Sequence, residues 1–351
     1  MAVMRSDIIV PSIFTPYVID ETTKRDAFLQ SGVVQPMAEL NATEGGDFIQ
    51  MPAWNADFAT SVNFEPLSET KSLTPQKLGT NKQNAVIVHR GNAFEARDLA
   101  RLAAGSDPMA AIGQKLAAYI ANERQLDLLN LLNGVFGPDF TNNSNGGNVA
   151  CLRGLTIDNA QNSSPQPLTP RHVAKAKSLL GDQGEKLTAI AMHSAVYYDL
   201  VQQRAIDFVY TAEGTPATNL ATGGSNANAF GGETAVPTYM GLRVIVSDDI
   251  AKNNGYHAVY FFAQGAIASG EQMGLNIEQD RDILAKSDAL SFDLHYVYHV
   301  KGTSWNKNRL STGYANPDRS GLHDVSNWEF DTEFKKQNVG IVRAIVTSTM
   351  D

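Results

Sequence analysis

Apolar residues recur at helical spacing over residues 108–133. Asp107 and Pro108 supply an N-cap and a preset backbone angle, and Gly134 stands at the expected C′ position. The pattern predicts one helix about 39 Å long. Its apolar positions are Met109, Ile112, Leu116, Tyr119, Ile120, Leu126, Leu129 and Leu132.

The segment 169–203 predicts a helix, a buried strand and a second helix with short connections. Thr169 is a favourable N-cap, Pro170 suits the first helical position, and Gly181 supplies a left-handed stop. The apolar run LTAIAMH then predicts a short strand, and Ser194 is expected to cap the helix that follows.

Strand patterns dominate much of the remaining chain. FIQMPAW (48–54) and AVIVHR (85–90) are separated by a polar, turn-rich segment, which predicts a hairpin with a long polar tip. Such a hairpin has little apolar surface of its own and needs a neighbour to lie against. Residues 288–302 and 339–348 predict two further strands, whereas the Gly/Asn-rich residues 211–236 predict a long loop that cannot order itself.

The composition excludes several classes of protein. Of 351 residues, 43% are hydrophobic and 19% charged, and the formal net charge of −9 argues against a protein built around a basic nucleic-acid-binding face. Cys151 is the single cysteine, so no intrachain disulfide can form and a reducing cytosol is expected. No run approaches the roughly 20 apolar residues of a membrane span, and the N-terminal pattern lacks a signal-peptide core. We therefore expect a soluble protein with no membrane partner.

Candidate catalytic chemistry is sparse. Phosphate-binding-loop, zinc-protease and nucleophile-elbow motifs are absent from the sequence. His295 and His299 lie four apart in a strand pattern, without a neighbouring cysteine or a placed carboxylate, so we expect no metal site there. The other polar candidates, each better explained by a structural position than by catalysis, are His193, Cys151 and the acidic group Asp280, Asp282 and Asp288. The sequence therefore predicts no catalytic residue, no cofactor and no metal, and the protein is not expected to be an enzyme.

Six segments resemble, in order along the chain, the motifs of one structural family. They are EGGDFIQMPAW (44–54), the helix at 108–133, MHSAVYYDLV (192–201), MGLRVIVSDDI (240–250), AVYFFAQGAIASGEQ (258–272) and YVYHVKGTSWN (296–306). The family is that of the major capsid proteins of tailed bacteriophages, with the Hong Kong 97-type fold. The series spans most of the chain.

This resemblance implies an α+β fold and a division of the chain into four parts. The expected parts are an N-terminal arm (1–50), an extended β-hairpin loop (51–92), a peripheral domain (93–150 and 271–320) that contains the spine helix at 108–133, and an axial α/β domain (151–270 and 321–351). The loop 211–236 would then lie in the axial domain, near the symmetry axes of a shell.

The resemblance also implies a function, which is self-assembly as hexamers and pentamers into an icosahedral phage head. The head would enclose double-stranded DNA without sequence-specific binding, with portal, scaffolding and decoration proteins as partners. The protein would be assembled in the host cytoplasm and reside in the virion. Two alternatives remain open, the shell of an encapsulin-like nanocompartment and an enzyme with an unrecognised site. Microscopy of the particle and the oligomeric state of the purified protein would separate these possibilities.

Charge is distributed unevenly near the predicted hairpin. Residues 20–70 carry nine acids and two bases, whereas residues 71–101 carry six bases and two acids. Identical subunits that meet head to tail in a ring need two complementary patches, although both regions could instead be solvated surface. The predicted interface residues are Lys71, Lys77, Lys82, Arg90, Glu39, Glu44, Asp47 and Trp54. Some family members link a loop lysine covalently to a neighbour's asparagine, but no reacting trio is singled out here, so we expect these lysines to pair with acids.

Overall fold

The structure, a computed structural model, describes residues 27–41, 46–54, 80–98, 108–140, 144–145, 148–157, 166–210, 235–253, 255–306, 316–331 and 334–350. The helices are α1 (Ala27–Gln30), α2 (Pro108–Phe136), α3 (Pro170–Leu180), α4 (Ser194–Gln202) and α5 (Arg319–His323). The strands are β1 (Val34–Pro36), β2 (Phe48–Trp54), β3 (Thr80–Val86), β4 (Val88–Arg97), β5 (Ser144–Asn145), β6 (Asn148–Val149), β7 (Thr156–Ile157), β8 (Leu187–Met192), β9 (Asp207–Tyr210), β10 (Ala235–Tyr239), β11 (Leu242–Val246), β12 (Lys252–Asn253), β13 (Tyr256–Ala263), β14 (Ile267–Asp282), β15 (Ser287–Val300), β16 (Thr303–Trp305), β17 (Trp328–Phe330) and β18 (Ile341–Thr347). Among the helices in these ranges, none has the length and apolar character needed to cross a membrane.

The long helix α2 starts at Pro108 as predicted but ends later than the sequence indicated. It continues to Phe136, so the predicted C′ role of Gly134 was wrong. Gly137 takes the left-handed position with a φ of +89°, and its N–H donates to the carbonyl of Asn133 at 2.7 Å. Gly134 and Gly137 both satisfy the sequence rule for a residue that ends a helix, and the helix ends immediately before Gly137.

Gly134 has a packing role inside α2. A Cβ at this position would lie 2.1 Å from the carbonyl oxygen of Leu322 and 2.6 Å from Nε1 of Trp328. That Nε1 donates to the same Leu322 carbonyl at 2.9 Å. The missing side chain therefore lets a hydrogen-bonded segment lie directly against the helix.

The apolar face of α2 is part of the main hydrophobic core, as the spacing predicted. Leu116, Ile120 and Leu129 are each at most 3% exposed. Tyr119, which shares the predicted apolar set, is 37% exposed and therefore lies at the edge of this face. Because α2 is buried along most of its length, its stability comes from packing more than from helix propensity.

Substitution of Leu129 by alanine is expected to lower the free energy of unfolding of the subunit by about 3 kcal/mol, because the lost methyl groups leave a cavity in this core. Urea denaturation of the purified subunit would measure the loss. Alanine at Lys115, an exposed position on the same helix, is the control and should change stability little. Equal stability of the two variants would mean that the buried face of α2 has been assigned wrongly.

The larger sheet contains the strands of the predicted axial domain. Its order is β7-β18-β13-β8-β11-β10-β9, and β12 pairs with β13. The central strands β13 and β18 are antiparallel, whereas β8 and β11 are parallel. Residues on both faces of the central strands are fully buried, for example Phe261 and Ile345, which is why these strands read as continuous apolar runs.

The helix–strand–helix segment forms as predicted, with one correction. Thr169 caps α3, its N–H donating to Nδ1 of His172 at 3.1 Å, and Gly181 ends the helix with a φ of +56°. The N-cap of α4 is His193 and not Ser194, because Nδ1 of His193 accepts the N–H of Ala195 at 3.1 Å. His193 thus has a structural position, between the end of β8 and the start of α4.

The smaller sheet has the order β1-β14-β15-β4 and packs against α2. Strands β14 and β15 form a long hairpin, paired from Ile267 with Val300 to Asp282 with Ser287. Only residues 264–266 separate β13 from β14, so the chain passes directly from the larger sheet into the smaller one.

The predicted hairpin at 48–90 is confirmed, with different strand bounds. Strand β2 pairs antiparallel with β3, from Phe48 opposite Val86 to Trp54 opposite Thr80. The returning strand thus begins at Thr80 and not at residue 85, and residues from Val88 onward belong to β4 of the smaller sheet. The sequence pattern assigns the polar run TNKQN (80–84) to the tip of the hairpin. In the structure this run is part of β3, because a strand in a two-stranded ladder pairs through its backbone and needs no continuous apolar pattern.

Several expectations fall on residues that the structure does not describe. Lys71 and Lys77, Glu44, and residues 211–234 of the predicted loop lie outside the described ranges. The strands β9 and β10 that flank this loop are paired, with Tyr210 opposite Ala235. The four domain bounds stay predictions. The bounds after residues 92 and 270 fall inside β4 and β14.

Candidate subunit-contact region

Four of the predicted interface residues that the structure describes lie in the β2–β3 hairpin or in the segments next to it. Lys82 is exposed on β3, and Glu39 and Asp47 are exposed near the two connections that lead to the hairpin. Trp54 ends β2 opposite Thr80. Exposed basic and acidic positions therefore both occur near this hairpin, and their role in a contact between subunits stays a prediction.

A small hydrophobic cluster holds the base of the hairpin against the smaller sheet. Its buried members are Leu40, Met51, Ala85, Ile87, Ala268 and Val297. These residues come from the segment after β1, from both hairpin strands, from the link to β4, and from β14 and β15. The base is thus anchored within its own subunit, which a hairpin of low apolar content requires.

A buried hydrogen-bond network provides a second anchor. Nε2 of Gln83 on β3 donates to Oδ2 of Asp331 at 3.1 Å, and Oε1 of Gln83 lies 3.2 Å from Nε2 of His299. Because an amide oxygen only accepts, Nε2 of His299 is the donor in this contact. Full burial lowers the pKa of His299 from 6.5 to about 4. The hairpin base therefore depends on an uncharged imidazole.

The depressed pKa of His299 predicts a loss of stability in acid. The unfolded chain takes up a proton near pH 6.5, whereas the folded subunit does so only near pH 4. The stabilising contribution is complete above pH 6.5 and falls as the pH drops to about 4, by about 3 kcal/mol in total. Urea denaturation at a series of pH values, for the native protein and for His299→Gln, would test this.

Glutamine at position 299 can still donate to Gln83 but does not titrate. The variant should therefore lose about 3 kcal/mol less than the native protein between pH 7 and pH 4. Contributions that the two proteins share cancel in the comparison. If the free energy of unfolding changes with pH in the same way in both proteins, His299 is not the cause of the loss of stability in acid.

Arg90, the remaining predicted interface residue, belongs to a network around one buried carboxylate. Asp127 of α2 is 2% exposed, and its Oδ2 accepts from Nε of Arg90 at 2.9 Å and from the hydroxyl of Tyr296 at 2.6 Å. Its Oδ1 accepts from Nε of Arg319 at 3.0 Å. Arg319 also pairs with Glu123, one turn earlier on α2. The structure thus engages Arg90 within the subunit, and its place at an interface stays a prediction.

The network ties three elements to the middle of α2. Arg90 comes from β4, Tyr296 from β15 and Arg319 from α5, so the smaller sheet and the segment after residue 316 meet on one carboxylate. Burial, together with the nearby charge of Asp127, raises the pKa of Tyr296 well above its usual value of 10. Asp127 was missed from the sequence, although an acid within the apolar run LDLLNLL was an available signal.

The other polar candidates have structural surroundings. His295 stacks on His89 of the neighbouring strand with ring centroids 4.1 Å apart, and burial and this neighbour lower the pKa of His295. Burial raises the pKa of the Cys151 thiol to about 12, so the thiol stays protonated and a poor nucleophile. Asp282 accepts the N–H groups of Leu284 and Ala285, which lowers its pKa. Within the described ranges, no three His, Cys, Asp or Glu side chains cluster as metal ligands would.

The fold is similar to that of solved bacteriophage capsid proteins. It is similar to the capsid protein of cyanophage Pam1, with a TM-score of 0.57 and 13% identity over 94% of both chains. It is also similar to the capsid protein of Ralstonia phage GP4, with a TM-score of 0.52 and 9% identity over 93% of this chain and 91% of the other. The shared architecture is a mixed α/β shell protein.

Sequence comparison gives the particular family. Residues 39–342 match the model of the Gp13-like family, described as major capsid protein 13-like. The major capsid protein of Bacillus phage SPP1 is 34% identical over 334 residues, with 92% of each chain covered. The chain belongs to the Gp13-like major capsid protein family, and it is a structural protein of a tailed-phage capsid. Neither the nanocompartment nor the enzyme alternative finds support.

Proposed function

We propose that the chain assembles as hexamers and pentamers into an icosahedral head of the Hong Kong 97 type, which encloses double-stranded DNA. The observation that carries the proposal is the double anchoring of the β2–β3 hairpin, by an apolar cluster and by the Gln83 network. Residues 55–79 connect two strands that are held on a rigid base. A segment supported in this way can meet a neighbouring copy at a fixed position.

The same proposal assigns the larger sheet to an axial domain and the smaller sheet with α2 to a peripheral domain. The strands β9 and β10, which precede and follow residues 211–234 in the sequence, pair with each other at the edge of the larger sheet, which supports this assignment. Portal, scaffolding and decoration proteins would be further partners, and assembly would take place in the host cytoplasm. Electron microscopy of the assembled particle tests the proposal. Rings of six and five subunits support it, whereas a stable small oligomer under all conditions refutes it.

Simultaneous replacement of Lys71, Lys77 and Lys82 by glutamate is expected to block or misdirect assembly while the subunit stays folded. Each exposed ion pair contributes only about 0–1 kcal/mol, but a shell repeats the contact many times and high salt weakens it. Sedimentation and microscopy would report assembly, and circular dichroism would report folding.

A charge-matched control replaces three exposed lysines elsewhere, Lys115, Lys252 and Lys335, by glutamate. This control should assemble normally if the contact depends on the hairpin. Normal shells from the hairpin variant would instead indicate that packing and backbone pairing hold the contact without help from charge.

A further inference from the structure

A polar pocket lies where the two main sheets meet, away from the hairpin. Its walls are the turn before β8, the three-residue link between β13 and β14, the residue after β15, and the short 3₁₀ helix Lys336–Val339 that precedes β18. The volume of the pocket is about 190 Å³. Four segments that are far apart in the sequence thus converge on one open depression.

The pocket is positively charged in an acidic protein. Lys186 and Lys301 both line it, together with the carboxamides of Gln183, Gln264, Gln337 and Asn338. No acidic residue of the described chain lines it, and neither lysine forms an ion pair there. The nearest preceding acid, Glu185, is held by Nζ of Lys177 at 3.1 Å. The charge of the two ammonium groups is therefore left available to a ligand.

The size and chemistry of the lining select a compact anion. The depression is open to solvent and has room for several water molecules, so a phosphate group can enter it while the rest of a larger ligand stays outside. Lysine acts on phosphate as a point charge, and carboxamide N–H groups can donate to its remaining oxygens. The lining contains no aromatic side chain on which a base could stack.

We propose that this pocket binds a backbone phosphate of the enclosed DNA, independently of base sequence. The inference rests on the proposed function, because that function supplies DNA as the polyanion within the shell. One weak contact in each subunit, repeated over the inner wall, would give the DNA regularly spaced attachment points. The subunit as a whole has a net charge of −9, so its overall charge does not favour contact with DNA.

Binding of a short fluorescent DNA duplex to the free full-length subunit tests the proposal. The variant Lys186→Gln/Lys301→Gln is compared with Lys115→Gln/Lys252→Gln, which removes the same charge at exposed positions elsewhere. At about 50 mM salt the pocket variant should bind at least about fivefold more weakly, with a log–log salt dependence shallower by about 2. The control should stay within about twofold of the native protein. Equal weakening of both variants, or no binding by the native protein, overturns the proposal.

Competitors identify the source of the anion. Inorganic phosphate should displace the duplex, because both present the same group. Binding of inorganic phosphate, detected by ³¹P line broadening, without binding of the duplex would overturn the DNA assignment. Displacement by an acidic peptide at matched charge would do the same, since it would favour a neighbouring subunit's carboxylate.

Lysine acylation followed by mass spectrometry extends the test to the assembled particle. Lys186 and Lys301 should be protected in DNA-filled particles and reactive in emptied ones, whereas Lys115 and Lys252 should not differ between the two. Equal labelling of the pocket lysines in both particles would overturn the inference. The pocket variant should still form shells, and imaging of these shells tests the proposed function separately from DNA binding.

Discussion

Replacement of Arg343 by methionine is expected to lower the free energy of unfolding of the subunit by about 4 kcal/mol, because two buried carbonyls lose their donors. Arg343 is fully buried in β18, which lies between β7 and β13 in the larger sheet. Its Nη1 donates to the carbonyl of Gly137 at 2.5 Å and its Nη2 to the carbonyl of Phe136 at 2.8 Å. The guanidinium therefore joins the larger sheet to the C-terminal end of α2.

The physical reason for the large effect is the set of carbonyls that would be left behind. The last carbonyls of a helix have no partner within the helix and carry partial negative charge. Methionine fills a similar volume but donates nothing, so two buried acceptors lose their bonds. The rings of Phe136 and Phe140, each 5.5 Å from the guanidinium carbon, would also lose a cation–π contact.

Urea denaturation of the purified subunit measures this change. Arg243→Met, on β11 of the same sheet, makes the same substitution where the guanidinium donates to an exposed carbonyl, that of Gln30, at 3.1 Å. Arg243→Met should lower the free energy of unfolding by less than about 1 kcal/mol. Similar losses for the two variants would show that the helix end is stable without Arg343. Arg343→Lys keeps the charge but not the two-pronged geometry, and should give an intermediate loss.

Substitution of Asp127 by asparagine is expected to lower the free energy of unfolding of the subunit by about 3–5 kcal/mol. The amide keeps the shape of the carboxylate but removes the charge that two arginines share, and it turns one acceptor into a donor that faces other donors. The lost bonds would be those to Arg90, Arg319 and Tyr296. Hydrogen exchange should rise in β4 and α5, because both elements are tied to α2 through this carboxylate.

Asp288→Asn is the matched control for this substitution. Asp288 pairs with Arg281 at 2.7 Å, but both side chains are more than a third exposed, so the pair should contribute at most about 1 kcal/mol. A loss at Asp127 no larger than that at Asp288 would contradict the role assigned to the buried network. Raising the salt concentration should weaken the exposed pair more than the buried one.

Features that depend on neighbouring residues could be predicted from the sequence. Thr169, Pro170 and Gly181 lie within one short segment, and they set the bounds of α3 as expected because capping is a local interaction. The buried face of α2 followed from the spacing of its leucines. The two ends of the hairpin strands were harder to place, because backbone pairing in β2–β3 tolerates the polar residues of β3.

Features that depend on distant residues could not be predicted in this way. Asp127 forms hydrogen bonds with Arg90, Tyr296 and Arg319, which are separated from it by 37, 169 and 192 positions in the sequence. A local sequence pattern cannot predict such distant partners. Arg343 looked like one polar residue in the apolar run VGIVRAIV, whereas its function is set by a helix end more than 200 positions away. The polar pocket was likewise hidden, because its lysines lie in two different connections.

Gly134 constrains how this chain can change over generations. The carbonyl oxygen of Leu322 occupies the space where any other residue at position 134 would place its Cβ. This oxygen is a backbone atom, so a substitution at Leu322 would not remove it. A smaller side chain at Trp328 would relieve only part of the overlap. Most single-nucleotide changes of a glycine codon introduce a residue with a Cβ. We therefore expect related capsid genes to keep a glycine codon at this position, while codons for surrounding surface residues vary.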